Sequence, residues 1–266
     1  MILQKEREDL EVFSFIFGAC IGSFLSVLIL KLPLNEPIFT KNRSKCPSCN
    51  HTIFGYHNIP LLSYIFLKAR CAYCGVKISS LYFIVELISA ILTLFIFLKL
   101  GFSKEFFLMS LLVYVLIVLS FIDFKYKAVP DYLLLIVLIL SFFVTNFSIA
   151  EALKNAFLFS GAVVLLNFIV TFYIQNIKSK LLKDESLKTQ VALGEGDIPI
   201  IAMIGVVLGS TGGILAIFLG AFFAIIPSIY SNLVKKDIQT PFIPYLVLGF
   251  LTEYFFKLET FIKVFY

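Results

Sequence analysis

The 266-residue sequence contains no tryptophan, only two histidines and three methionines, and charged residues make up just 15% of it. A soluble globular domain carries about 25% charged and roughly 45–50% apolar residues. Here the apolar share is 60%, with a mean hydropathy of +0.98. The shortage of charge excludes a soluble enzyme and a disordered binding segment. The net charge of +5, from 22 Lys and Arg against 17 Asp and Glu, is too small for a nucleic-acid protein held by a basic surface. Without tryptophan, tyrosine must supply any aromatic belt at a membrane surface. No internal repeat of useful length and no linker dividing the chain into globular halves is visible.

What is there is a series of apolar runs. A helix crossing lipid needs roughly 20 mostly apolar residues, because the hydrocarbon is about 30 Å thick and each residue rises about 1.5 Å. Eight segments qualify as candidates, near Val12–Leu30, Ser79–Leu100, Glu105–Ile122, Asp131–Phe147, Ala152–Gln175, Asp197–Leu208, Thr211–Tyr230 and Pro241–Phe256. The sixth is short, and Gly209–Gly213 reads as a tight turn joining it to the seventh as antiparallel helices. The first run exceeds a signal-peptide core and is followed by Lys31-Leu32-Pro33 rather than a small-residue cleavage site, so it reads as a retained first span. The expected fold is an all-α polytopic membrane protein of about eight transmembrane helices with a zinc-binding loop module on the cytoplasmic side. Its parts are the first transmembrane helix (1–31), the four-cysteine loop (32–78) and a membrane core (79–266).

Basic residues set the expected direction. With the N-terminus outside, 15 of the 22 Lys and Arg fall on inward-facing loops, among them Lys31, Lys41, Arg43, Lys45, Lys68 and Arg70. An excess of Lys and Arg marks cytoplasmic loops.

Four of the five cysteines lie in the one soluble-looking loop, as Cys46-Pro-Ser-Cys49 and Cys71-Ala-Tyr-Cys74. Each CxxC can form a knuckle that turns two thiolates toward one point, and two knuckles make a tetrahedral four-thiolate site suited to zinc. A reducing cytoplasmic face keeps the thiols available. A loop of this size has little core, so the metal would supply folding free energy, and with no open coordination position its role would be structural. Two disulfides or unrelated cysteines are the alternative. His51 and His57 read as ordinary loop histidines, because four thiolates complete the shell. Cys20, inside the first span, reads as a packing residue.

Ionisable groups at membrane depth are functional candidates by default. Glu86 lies seven residues past Ser79, so it faces either a functional cleft or a structural partner on a neighbouring helix. Glu253 reads as interfacial. Asp131, after Pro130, reads as a helix N-cap, and Glu195 as solvated. Asp123 ends the third apolar run, and Asp197 follows Gly194-Glu195-Gly196 at the start of the sixth, where the glycines permit close approach and positive φ. Taken singly, Asp123 could be a solvated helix end and Asp197 an N-cap. Together they lie at one depth on one face, and they meet if the third and sixth spans pack together. Two carboxyls sharing a site cannot both ionise easily. A protonated one can polarise a peptide carbonyl while its ionised partner takes a proton from the attacking water, which is aspartic peptidase chemistry.

The sequence resembles the type IV prepilin peptidases, bacterial membrane aspartic peptidases that are often also N-methyltransferases. The resemblance runs over most of the chain. It begins with Gly18-Ala-Cys-Ile-Gly22-Ser23-Phe24-Leu25-Ser26-Val27 and Lys31-Leu32-Pro33, where Gly18 and Gly22 also form a helix-packing pair. It continues through both CxxC pairs with Asn58-Ile59-Pro60 and Ser63 between them, and through Ser79, Tyr82 and Glu86. It ends with Ile122-Asp123, Val129-Pro130-Asp131 and Gly194-x-Gly196-Asp197. The chain has Ser26 where the family usually has Asn, Lys31 for Arg, Ala69 for a common Gly, and Pro199 for a common Lys. The resemblance implies that Asp123 and Asp197 are the catalytic pair and that Cys46, Cys49, Cys71 and Cys74 bind zinc. It implies substrates in the leaders of type IV prepilins or type II secretion pseudopilins, short and basic, cut after a Gly at the cytoplasmic face of the inner membrane. It also implies methylation of the new N-terminus with S-adenosylmethionine, for which Glu86 is the candidate cofactor-binding residue. No nucleic-acid partner is expected. The competing readings are a transporter or channel with functional carboxylates, whose site would lie nearer the bilayer midplane, and a scaffold whose zinc loop only binds partners.

Overall fold

A computed structural model describes residues 2–38, 45–46, 48–182, 185, 188, 194–230 and 240–260. Pro47, and the basic residues Lys41, Arg43, Lys183, Lys235, Lys236 and Lys263 used in the charge count, lie outside these. The helices are α1 (Ile2–Lys31), α2 (Leu62–Phe66), α3 (Ser80–Leu100), α4 (Lys104–Tyr126), α5 (Asp131–Val144), α6 (Ile149–Phe172), α7 (Ser179–Leu182), α8 (Asp197–Tyr230) and α9 (Ile243–Phe256). A π-helical stretch, Tyr173–Lys178, joins α6 to α7. Among the described residues the only β structure is two isolated antiparallel bridges. Lys5–Leu34, Ser80–Leu100, Lys104–Tyr126, Ile149–Leu181 and Asp197–Tyr230 are each long and apolar enough to cross a membrane, and α5 and α9 are shorter apolar helices. The protein is thus an all-helical, polytopic membrane protein. It forms two compact units, Met1–Ile122 and Asp123–Tyr266.

In the first unit α1 packs along α3 because two glycines remove the bulk between them. A Cβ on Gly18 would fall 2.5 Å from Thr93 Oγ1, and one on Gly22 would fall 2.7 Å from Glu86 Cα. The polar side chains in this seam are satisfied locally. Ser26 and Ser89 donate back to the carbonyls of Gly22 and Val85, and Thr93 shares a 2.7 Å hydrogen bond with Tyr114 of α4. Cys20 does not pack there: it is exposed on the outer face of α1.

In the second unit α8 is two helical arms meeting at Gly209, whose φ of 75° and ψ of −172° break the helix. An ideal Cβ on Gly205 would lie 2.3 Å from Phe159 Cδ2, and one on Gly213 2.7 Å from Phe159 Cζ, both atoms of one ring. Eight residues of straight helix would separate those positions by about 12 Å, so the chain folds back at Gly209 and Phe159 of α6 wedges between the arms. The expected turn is present, placed at its first glycine. α9 lies against the second arm in the opposite direction, with Gly220 beside Leu246 and Gly212 beside Glu253. The approach is closest at Gly249, where a Cβ would fall 2.1 Å from the Ala216 carbonyl oxygen. α5 ends at Val144, earlier than the apolar run suggests, because Thr145 is extended and donates its hydroxyl to the Val206 carbonyl at 2.7 Å. Glu253 is buried within the second unit. It is 2% exposed, and its Oε1 accepts from the Glu259 N–H at 3.1 Å, tying down the turn after α9.

Candidate active site and metal centre

Asp123 sits in the last turn of α4 and Asp197 opens α8, and both are buried, at 8% and 7% exposure. Asp123 Oδ2 accepts from the backbone N–H of Ile243 at 3.1 Å, and the Phe242 N–H also donates to this carboxylate. The N-terminus of α9 therefore aims its free donors and the positive end of its dipole at Asp123. The other side of this junction is the Gly194-Glu195-Gly196 turn. A Cβ on Gly196 would meet Val129 Cγ2 at 3.1 Å and Leu134 and Ile243 slightly farther away, while Gly194 lies against Asp197 Oδ2. The Gly194 backbone N–H also bonds the Asp197 carboxylate. Neither glycine has positive φ, so close approach is what this turn requires of them. Packing Gly196 onto Ile243 brings Asp197 to the helix end that Asp123 caps, where Asp123's charge acts on it. Both carboxylates are thus buried near the start of α9, within electrostatic reach of each other.

The two flanking acids lie apart from this chemistry. Asp131 is exposed and is the first helical residue of α5, with Pro130 in the cap position, so it is not the N-cap the sequence suggests. Glu195 is exposed, as expected. Residue type does not mark the N–H donors at Phe242 and Ile243. Pro241 and Pro244, which bracket the start of α9, are the only sequence signal there.

The four thiols converge in the first unit. Cys46, Cys49, Cys71 and Cys74 place their sulfurs within 4.8 Å of one another, and none is disulfide-bonded. Each pair is built by the same small hairpin. The bridge Lys45–Thr52 flanks the first and Arg70–Lys77 the second. The Cys46 N–H donates to the His51 carbonyl and the Cys71 N–H to the Val76 carbonyl, while Asn50 and Gly75 donate back to the carbonyls of Cys46 and Cys71. Asn50 and Gly75 both take positive φ, which closes the knuckle after its second cysteine. A zinc–sulfur distance of about 2.3 Å in a tetrahedron requires sulfurs about 3.8 Å apart, and Cys46 Sγ lies 3.8 Å from Cys74 Sγ. The donor set and its spacing fit zinc.

The thiols are electrostatically unequal. The N–H groups of Cys49 and Ser48 pull Cys46 down to about 6. Cys74 stands at about 11: the Val76 N–H pulls it down, but desolvation and the three neighbouring thiols outweigh that pull. A divalent cation relieves this crowding by neutralising the thiolates. His51 and His57 pack on Tyr73, with ring centroids 3.7 and 5.8 Å away, and take no part in the cluster.

Glu86 is buried in the second turn of α3. Its Oε2 accepts from the backbone N–H of Leu61 at 2.8 Å, and the Ser23 hydroxyl bonds the same carboxylate. Leu61 has φ of 61°, a strained conformation for a leucine, so this hydrogen bond fastens the cysteine loop to α3 at a point the backbone would not choose alone.

Comparison with known proteins finds sequence relatives along most of the chain. Residues 16–100 match the bacterial peptidase A24 N-terminal domain, and residues 110–229 match the type IV leader peptidase family. A prepilin leader peptidase/N-methyltransferase of Myxococcus xanthus (strain DK1622) is 36% identical over 201 residues, covering 74% of this chain and 56% of that protein. One from Aeromonas hydrophila is 31% identical over 268 residues, covering 88% and 87%, and one from Bacillus subtilis (strain 168) is 28% identical over 246 residues, covering 91% and 92%. The chain thus spans just over half the length of the Myxococcus relative and most of the other two. No solved structure matches.

Proposed function

This chain belongs to the type IV leader peptidase family, and from that premise we propose that it is a membrane aspartic peptidase that removes the basic leader from type IV prepilins or type II secretion pseudopilins, cutting after Gly, and that it methylates the new N-terminus. Asp123 and Asp197 form the catalytic pair. The observation that supports this reading is that both carboxylates are buried, that Asp123 accepts from the N–H groups opening α9, and that its charge acts on Asp197. Asp123, facing the N–H groups of Phe242 and Ile243, is placed to bear the negative charge and draw a proton from the attacking water. Asp197 then carries the shared proton and donates a hydrogen bond to the scissile carbonyl. Proton return to the leaving amine completes the cycle.

The site and the cysteine loop lie on the cytoplasmic side of the bacterial inner membrane, with the N-terminus outside, a reading supported by the 15 inward-facing basic residues. Residues 79–266 serve as the peptidase core and residues 32–78 as the methylation-associated module. Cys46, Cys49, Cys71 and Cys74 hold a structural zinc, which supplies the folding energy of their hairpins. S-adenosylmethionine is the methyl donor for the second activity. Glu86 serves that half as a positioning residue, through Leu61. The test is cleavage of a prepilin by Asp123→Asn and Asp197→Asn variants in vesicles. Each variant should lose about 10²-fold or more of its rate while expression and zinc content stay unchanged. Retained cleavage in either variant removes the pair from the mechanism.

A further inference from the structure

The cysteine loop looks soluble in sequence, yet one piece of it sits at membrane depth. α3 is 21 residues long, about 31 Å by helical rise, and the hydrocarbon it must cross is about 30 Å thick. Lys77 and Lys99 bracket its apolar stretch, so little of it can stand clear of lipid. α2 is fastened to the first turns of this helix at two points. The Leu61 N–H, at the head of α2, reaches Glu86 Oε2 at 2.8 Å, and Tyr64 stacks on Phe83 with centroids 5.1 Å apart. Phe83 and Glu86 are three and six residues in from Ser80, or about 5 and 9 Å along the axis.

With Tyr64 turned onto α3 and Ser63 bonded to the Tyr56 carbonyl, the remaining apolar side chains of α2 are exposed. Leu62, Ile65 and Phe66 are 51%, 58% and 79% exposed, the last more than any other large apolar side chain in this unit. Lys68 and Arg70 follow at once, where the chain turns through positive φ at Lys68 and Ala69 into the second cysteine hairpin. Exposed apolar side chains held beside the first turns of a membrane-crossing helix, and followed at once by two basic residues, match the boundary between acyl chains and anionic headgroups.

We propose that Leu62–Phe66 is a lipid-inserted wedge, seated in the headgroup–acyl boundary of the leaflet on the cysteine-loop side, which fixes the thiol cluster against an anionic bilayer surface. The occupant of the exposed face is lipid, because the segment is pinned alongside a membrane-crossing helix at the depth where lipid surrounds that helix.

The absence of tryptophan makes the test direct. Phe66→Trp and Ile65→Trp, each in the full-length protein in phosphatidylcholine–phosphatidylglycerol vesicles, carry a single tryptophan, excited selectively over the tyrosines. Lipids brominated at the upper acyl carbons should quench most of the emission of both, and that emission should be shifted to shorter wavelength than for tryptophan in water. Tyr73→Trp, on the second cysteine hairpin, should remain largely unquenched. Should Phe66→Trp fail to bind zinc or accumulate, Ile65→Trp decides. Water-like, unquenched emission from the α2 positions overturns the wedge. Equal quenching in the Tyr73→Trp variant also overturns it, by submerging the whole module.

Discussion

The thiol cluster and the aspartate pair assemble by opposite routes. Each cysteine pair is closed by a hairpin running only from Lys45 to Thr52 or from Arg70 to Lys77, with its own backbone hydrogen bonds and its own positive-φ residue. The aspartates are 74 residues apart in sequence, and Asp123 takes its hydrogen bond from a residue 120 positions away. Two of the four cysteines are exposed, whereas both aspartates are buried. A site built from local hairpins with little core needs an ion to stay closed. A site built from distant helices needs backbones that approach closely, and glycine provides that at Gly196, Gly220 and Gly249. The two sites should therefore fail under different insults.

The largest effect is expected from the metal. Structural zinc contributes on the order of 10 kcal/mol to the folding of small thiolate sites. Stripping it with a chelator, or replacing Cys71 with Ser, should open both hairpins. The readout is amide hydrogen exchange at Cys46, Asn50, Cys71 and Gly75, whose N–H groups close the knuckles and should lose their protection. Methyl transfer should fall with them, while peptide cleavage persists. Equal loss of both activities would erase the distinction between the two sites.

The converse insult is Gly249→Ala. Its Cβ would lie 2.1 Å from the Ala216 carbonyl oxygen and 2.7 Å from the Gly220 nitrogen, and neither backbone atom can swing aside. α9 must then shift, at a cost of about 3 kcal/mol, taking the Ile243 N–H away from Asp123. Cleavage should drop sharply while zinc content and knuckle protection hold. Normal cleavage in this variant would mean that the α9 N-terminus does not position Asp123.

The same contrast governs what was legible in the sequence. The CxxC spacing contains its geometry, because nothing distant is needed to form a knuckle. The apolar runs fall on α1, α3–α6, α8 and α9 because the cost of unpaired backbone groups in lipid leaves helix as the ready solution. The break at Gly209 was visible as a glycine cluster. The proposed pairing of Asp123 with Asp197 was legible only as a shared depth along two helices. The N–H donors of Phe242 and Ile243 were not legible, since backbone groups leave no residue-type signature. Cys20 is misplaced for a related reason: hydropathy says that a residue lies in a span but not which way it faces, and this thiol is exposed rather than packed.

The smallest expected effect sharpens the local side of the comparison and has the opposite sign. Ala69 occupies a position where the resembling family commonly has Gly, and it adopts φ of 57°. Its N–H bonds the Tyr64 carbonyl and its own carbonyl accepts from Ile78, so α2 and the segment entering α3 hold it there from both sides. A left-handed conformation costs a residue with a Cβ about 1–2 kcal/mol, while Gly gives back roughly 0.5–1 kcal/mol through its freer unfolded chain. Ala69→Gly should therefore stabilise the loop by about 0.5–1 kcal/mol. The concentration of chelator that removes half of the zinc should rise about 2- to 5-fold, with cleavage unchanged. No change in that midpoint would mean that the turn at Lys68 and Ala69 relaxes independently of the hairpin it leads into, and the metal site would then be closed by its knuckles alone.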